Sequence, residues 1–430
     1  LGDAGIIGKF ANVRTLRGAD GRLTVTFQDV HSVPTRYMVS GNADLRRPVG
    51  ITLAPDSGLQ SPSTEADYLI ITHGDFLDAI QPLADHRASE GHKVKVVDIE
   101  SVYNDFSRGV FSPFVIQNLL RYAYQVWQTP PEYVLLVGDA HYDYKNGDIR
   151  IYAESGIIRE NYPNYVPTIH GWGGTASGET AMDHRFVTIE GDDPLPDMFI
   201  GRLPVQLPSE VRGIVRKIIA YETNPEIGLW QTRMTQVADN DLSKPGDQIF
   251  QASREGLIKT VIPPAYDVQK IYLKEIGSSG ATKVQIKDAI TEGTLVLEYA
   301  GHGGRGIWAD EDILRLWDIT NLRNGRRQPL LVATTCQMNF FDQPETIGER
   351  AMGEQFLLGE GKGAIAVIGA TRKTYARCNA IFDAFLFPEI TSASTPEVGR
   401  ILTQAKIRDW VTNNSISCLP GLEQYTLFGD

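Results

Sequence analysis

The chain reads as an α/β protein: a mainly parallel β-sheet flanked by helices, in two adjoining halves, preceded by a small β-rich N-terminal segment. Three observations predict this. From about residue 68 onward, short apolar runs alternate with stretches of helical periodicity, the pattern of βαβ units whose strands are buried on both faces. Nine such runs exceed what one small sheet usually carries, so two halves are expected. Before residue 65 no helical pattern of useful length occurs, and short alternating segments are punctuated by turn residues.

In the first segment, residues 23–27 alternate apolar and polar, Gly18-Ala-Asp-Gly21 marks a turn, and Tyr37-Met-Val39 follows Pro34. Residues 54–64 are rich in Pro, Ser and Gly and read as a linker, which sets a boundary near Glu65. The expected strands are 68–72, 94–97, 133–137, 198–200, 234–237, 268–272, 294–299, 330–334 and 364–368. Helices fall between them. Ser112 is placed as an N-cap with Pro113 at the first helical position. Pro208-Ser209-Glu210 opens a helix with Val211, Ile214, Val215 and Ile218 on one face. Pro82 falls inside the first helical pattern, so that helix either starts near Gln81 or is kinked. The domain reading is 1–64 for the β-rich segment and linker, 65–224 for the first α/β half and 225–430 for the second.

Composition narrows the function classes. With 41 Lys and Arg against 53 Asp and Glu, a net charge of -12, the chain lacks the basic footprint of a nucleic-acid binder. Three cysteines without a Cys-x-x-Cys spacing argue against a disulfide framework or a structural zinc site, and the odd count leaves at least one thiol unpaired. No apolar run approaches the ~18 residues of a membrane span, so no transmembrane segment is expected. Residues 1–10 lack the basic start and apolar core of a signal peptide; a removed leader stays open.

In an open α/β sheet, ligands bind outside the carboxyl ends of the strands. Run 294–299 leads into Ala300-Gly-His302-Gly303-Gly304, and run 330–334 into Thr335-Cys336. One helical crossover between them puts both ends on one edge, bringing His302 and Cys336 together as base and nucleophile. The imidazole takes the thiol proton or stabilises the thiolate. The amides of Gly303 and Cys336 are suited to hold an oxyanion. A third group should orient the ring, and Asp197, which leads into Met198-Phe-Ile-Gly-Arg202, is the candidate; the alternative is a turn carboxylate. Cys378 and Cys418 follow no strand and read as inert thiols, and a buried inert thiol is also the competing account of Cys336.

Gly301, Gly303 and Gly306 spell a dinucleotide-binding glycine pattern, but no apolar helix follows directly and the next strand ends in Thr335-Cys336 instead of an acid. A dinucleotide-dependent oxidoreductase and a catalytically silent scaffold are therefore minor readings. Asp139, His141, Asp143 and Asp148 cluster after run 133–137 and offer oxygen ligands for calcium, with a solvated acidic loop or substrate contact as alternatives.

Beyond these readings, the chain resembles the gingipain family of cysteine peptidases, a caspase-like clan, and within it the sortase-like members associated with type IX secretion. The carrying residues are Glu298-Tyr-Ala-Gly-His-Gly-Gly304 with Trp308-Ala-Asp-Glu311, and Pro329-Leu-Leu-Val-Ala-Thr-Thr-Cys336 with Phe341-Asp342 and Gly353-Glu354. Further matches are Asp67-Tyr-Leu-Ile-Ile-Thr-His73, Val102-Tyr-Asn-Asp-Phe106, Val137-Gly-Asp139, Tyr142-Asp-Tyr144 and Leu195-Pro-Asp-Met-Phe-Ile-Gly-Arg202. The resemblance implies a two-part caspase-like fold with His302 as general base, Cys336 as nucleophile, Gly303 at the oxyanion hole and Asp197 orienting the ring. It implies an endopeptidase exported to the exterior or cell surface of a bacterium, acting on peptide or protein substrates, with secretion-system association. The sortase-like members add an alternative, transfer of the acyl group to an amine. Candidate substrate contacts are Glu210, Trp308 and Asp139, although a first-turn helix carboxylate interacting with the macrodipole is the simpler account of Glu210. The implied chemistry requires no cofactor, calcium being the one ion for which ligands are proposed.

Overall fold

The computed structural model describes residues 13–30, 37, 53–143, 163–240, 249–343, 350–392 and 397–430. The chain divides into two compact units, Leu1–Leu53 and Ala54–Asp430. In the first, strands Arg14–Arg17 and Leu23–Thr26 pair antiparallel, Arg14 opposite Thr26. Gly21, at φ 81, takes the left-handed turn position between them. Of the expected segment Tyr37-Met-Val39, only Tyr37 is among the described residues.

The boundary differs from the expected one near Glu65. Residues 54–64 belong to the larger unit: Leu59 is buried, its carbonyl accepts from Trp127 Nε1 at 2.9 Å, and the Gln60 carbonyl accepts from the Tyr122 hydroxyl at 2.6 Å. Turn-forming composition showed an irregular chain, which is compatible with being packed down.

The larger unit is built on one sheet of ten strands. In chain order these are β1 (Tyr68–Thr72), β2 (Val94–Asp98), β3 (Tyr133–Val137), β4 (Phe199–Leu203), β5 (Arg233–Ala238), β6 (Asp267–Tyr272), β7 (Val296–Ala300), β8 (Leu330–Thr334), β9 (Ala366–Ala370) and β10 (Tyr425–Phe428). Their spatial order is β6-β5-β7-β8-β9-β10-β4-β3-β1-β2. All nine expected strands are present, shifted by a few residues at their ends. The two halves are each parallel within themselves. They are joined by the unanticipated β10, which runs antiparallel to β9 and meets β4 through Phe428 and Arg202.

Because side chains alternate across a strand, each run feeds two apolar layers. Ile70 of β1 and Leu297, Tyr299, Leu331 and Ala333 of β7 and β8 enter one core with helices α1 (Leu77–Ser89), α4 (Pro208–Thr223), α6 (Ser279–Glu292) and α7 (Met352–Leu358). Leu69 and Ile71 face α2 (Ile99–Ser107) and α3 (Phe114–Val126) on the other side. In the second half, Val296, Leu330 and Val332 face α5 (Phe250–Thr260), α8 (Ala376–Thr391) and α9 (Val398–Asn413). This burial on both faces explains why the strands read as continuous apolar runs.

Helix starts follow local chemistry. Asp98 Oδ1 accepts the Glu100 amide at 3.1 Å and Ser278 Oγ the Ala281 amide at 3.3 Å, each satisfying an orphan donor. Helix α1 begins at Leu77 and continues through Pro82, while α3 begins at Phe114 with Pro113 in the cap, one residue later than expected. No helix among the described residues is long and apolar enough to cross a membrane.

Candidate active site

Strands β7 and β8 are parallel neighbours with Ala300 opposite Thr334, so their carboxyl ends emerge side by side and deliver His302 and Cys336 two residues further on. The exits are laced together: Thr335 Oγ1 donates to the Gly301 carbonyl at 2.8 Å. At Gly303 the backbone passes so close that a Cβ would collide with the Thr335 hydroxyl and lie 3.3 Å from the Cys336 carbonyl oxygen. Only glycine permits that approach. The loops bearing thiol and imidazole are thus in direct contact.

His302 is fixed through its backbone. Its carbonyl accepts from the Tyr299 hydroxyl at 2.5 Å and the Ala309 amide at 2.9 Å, and its amide donates to Asp239 Oδ2 at 2.9 Å. Its ring meets Phe250 edge-on at 5.3 Å. Cys336 is half-buried, and its sulfur lies 3.4 Å from the Thr374 amide and 3.6 Å from the Thr374 carbonyl oxygen. The next residue, Gln337, takes a left-handed conformation at φ 59, uncommon for a side chain with a Cβ and held by its amide donating to the Arg372 carbonyl at 3.0 Å. The chain turns sharply at the thiol and is then tied to the end of β9, with the Asn339 amide donating to the Ala370 carbonyl at 3.0 Å.

The acid that reaches this site is Asp239, at the carboxyl end of β5, and Asp197 is not brought to the pair. Asp197 precedes β4, at the opposite edge from the strand exits, and its carboxylate accepts the amides of Ile189 and Glu190 at 2.8 and 2.9 Å. It is a turn carboxylate. Asp239 receives the His302 and Asn240 amides, and the Asn240 side chain donates to Glu311 Oε1. Burial pushes the Asp239 carboxyl up to about 6, Glu311 adding to the rise while the two amide bonds oppose it. The expected strand 234–237 stopped just short of this residue; reading what β5 delivers at its exit was the signal that finds it.

The candidate substrate contacts are removed from that role. Trp308 is fully buried, stacked on Tyr299 at 4.3 Å with planes 9° apart, because the hairpin Gly303–Gly304 with Ile307–Trp308 turns the indole into the core. Glu210 accepts the Gln206 and Leu207 amides at the start of α4 and holds Arg350 through both oxygens at 2.8 and 2.9 Å. Asp139 is buried, its carboxylate accepting the Ala140 amide and Gln206 Nε2.

The proposed calcium ligands do not form a metal cluster among the described residues. Asp139 is turned to Gln206, His141 Nδ1 accepts the Asp143 amide at 2.8 Å, and Asp148 lies outside the described residues. Among the described residues, the one group of three such side chains within ligand distance of one another is His86, Glu90 and Glu222, where Arg87 holds both carboxylates. The same carboxyl edge carries a buried ion pair: Arg372 grips Asp342 through two bonds of 2.6 Å while His170 Nε2 adds a third at 2.8 Å. Burial raises Asp342, but Arg372 and His170 outweigh it and hold the carboxyl well below its usual range. The Tyr142 amide donates to the Asp342 carbonyl at 2.8 Å, so the exit of β3 meets the loop beyond Cys336.

The cysteine expectation needs correction. Cys378 and Cys418 form a disulfide, and Cys336 is the free cysteine. The pair is 40 residues apart, and α8 and α9 pack against each other between them. A count of three cysteines left room for one bridge.

A sheet of two halves with helices on both faces, carrying a thiol and an imidazole at adjoining strand exits, has the architecture of the caspase-like folds, with two side chains there that can serve as nucleophile and base. Comparison with known proteins makes this specific. The model of peptidase family C25 matches residues 61–430, and the chain belongs to that family. Lys-gingipain HG66 of Porphyromonas gingivalis is 24% identical over 207 residues, covering 46% of this chain; the chain spans 11% of that relative's length. The crystal structure of the Arg-specific cysteine proteinase gingipain R (RgpB) matches with a TM-score of 0.63 at 18% identity, over 85% of this chain and 78% of that one. The complex of Porphyromonas gingivalis RgpB pro- and mature domains matches with a TM-score of 0.61 at 17% identity, over 84% of this chain and 78% of that one. The structural likeness carries the shared fold.

Proposed function

We propose that this protein is an exported cysteine endopeptidase in which Cys336 is the nucleophile and His302 the general base. The observation that carries the reading is the lacing of the two strand exits, with Thr335 bonded to Gly301 and Gly303 against the Cys336 carbonyl. His302 accepts the thiol proton as the sulfur attacks the peptide carbonyl carbon. The oxyanion is held by the amides of Gly303 and Cys336, each such donor contributing on the order of 10² to 10³ in rate. Collapse breaks the C–N bond, and the imidazolium returns the proton to the leaving amine. Water, deprotonated by His302, then cleaves the thioester, releasing the acid and restoring the thiol. An amine in place of water gives transfer instead of hydrolysis, through the same thioester.

Asp239 acts through the His302 backbone and sets where the ring stands. No cofactor enters this chemistry. Export is supported by the Cys378–Cys418 disulfide, since such bridges persist in oxidising compartments. The test is Cys336→Ala assayed on a library of peptide substrates, with and without an amine acceptor. Cleavage is expected to disappear while the melting temperature stays within a few degrees. Turnover retained in that variant refutes the nucleophile.

A further inference from the structure

The sulfur of Cys336 is contacted from a third direction that neither the sequence motifs nor the catalytic pair accounts for. Thr374, just before α8, has its amide 3.4 Å from the sulfur. Helix α8 begins at Ala376 and runs for 16 residues, so its first turn, the positive end of the macrodipole, starts directly after this contact. Within that turn Asn379 is 6% exposed, and its side-chain amide donates to two acceptors, the Thr334 carbonyl at 3.1 Å and Thr374 Oγ1 at 3.0 Å. The carbonyl can only accept, which fixes the orientation of the Asn379 amide. One buried side chain therefore ties the last residue of β8, two before the thiol, to the residue whose amide meets the thiol. Cys378, the neighbour of Asn379, is bonded to Cys418, which ties this first turn to a segment 40 residues further along the chain.

We propose that Asn379 and Thr374 are positioning residues for the Cys336 sulfur: Asn379 holds the Thr374 turn so that its amide faces the nucleophile when the proton leaves. This inference rests on Cys336 being the nucleophile. The Thr374 carbonyl, 3.6 Å from the sulfur, accepts from the resting thiol, whereas the hydrogen bond from the Thr374 amide strengthens once the sulfur carries charge, so the amide favours the thiolate. Losing it should lower kcat and leave KM nearly unchanged.

The experiment compares Asn379→Ala, Thr374→Val and Thr374→Ser with the parent. Two quantities are read on folded protein: kcat and KM for a peptide substrate, and the second-order rate of Cys336 alkylation by iodoacetamide, which the disulfide leaves free of background from Cys378 and Cys418. Asn379→Ala and Thr374→Val are expected to lower kcat about tenfold, with KM within about twofold, and to slow alkylation severalfold, the size of one hydrogen bond to a charged group. Thr374→Ser keeps the acceptor hydroxyl and should retain at least half the parent values. Parent-like kcat and alkylation in both damaging variants overturn the inference, as does an equal loss in Thr374→Ser and Thr374→Val. If Asn379→Ala does not fold, the half-exposed Thr374 pair decides alone. Alkylation reads the sulfur directly, so its outcome is separable from failure of the nucleophile assignment, which shows as turnover retained in Cys336→Ala.

Discussion

Replacing Arg254 by Met should unsettle at once both strands that lead to His302 and Cys336. Arg254 lies on α5 with its side chain fully buried, paired with Glu298 of β7 and Asp383 of α8, whose side chains are 0% and 1% exposed. Glu298 stands four residues before His302, and Thr334, two before Cys336, donates its hydroxyl to Asp383 Oδ2 at 3.1 Å. Methionine keeps most of the apolar volume, so the cavity contribution is small, but two carboxylates are left buried without a cation. Breaking a buried ion pair in this way costs about 3–5 kcal/mol. For a unit of this size the urea m-value is at least about 3 kcal/mol/M, so the denaturation midpoint should fall by roughly 1 M. The assay is urea unfolding followed by circular dichroism, with kcat measured below the transition. Replacing all three residues together with apolar side chains of similar volume should recover at least half of the loss, because the desolvated charges disappear together. A shift below about 0.2 M in Arg254→Met refutes the claim that this network is an interdependent buried unit.

Two other outcomes follow from the site. Asp239 has its folded value raised from 3.8 to about 6 by burial, so between those values the folded state holds a proton that the unfolded state has lost, and stability falls as pH rises through this window, by at most about 3 kcal/mol. Asp239→Asn should flatten that part of the stability profile from pH 4 to 6.5 and lower kcat, because one of the two amides of His302 and Asn240 then faces an NH₂ group; an unchanged slope in thermal melts counts against the assignment. Trp308→Ala should cost about 3–5 kcal/mol in a denaturation series while leaving KM of the folded fraction within about twofold, since the ring is core and not a substrate wall; a severalfold rise in KM without loss of stability restores it to the substrate site.

What was legible in this chain, and what was not, follows from which residues must announce themselves locally. Strands buried on both faces need apolar side chains at nearly every position, so β1, β3, β7 and β8 show as runs, with Glu298 in β7 tolerated because it pairs with Arg254. Strand β10 is four residues long and exists only because β9 and β4 stand on either side of it, a non-local cause that Tyr425-Thr-Leu-Phe428 cannot display by itself. The thiol and imidazole were legible because the glycines beside His302 mark a backbone held close to something, and register then supplies the partner. Asp197 misled for a reason that strand direction explains: a residue that leads into a strand sits at its amino end, whereas the chemistry gathers at the carboxyl ends. The same rule applied at β5 selects Asp239. Thr374 and Asn379 obey it too, since they follow β9 at that edge, but they act on the sulfur through a backbone amide, and a backbone contact leaves no residue-type signature. Glu210 and Asp139 show the converse. They are acids near the right edge whose oxygens are already taken by Arg350, Gln206 and backbone amides, so their charge is satisfied within the fold. Neither carboxylate is therefore available to a basic side chain of a peptide.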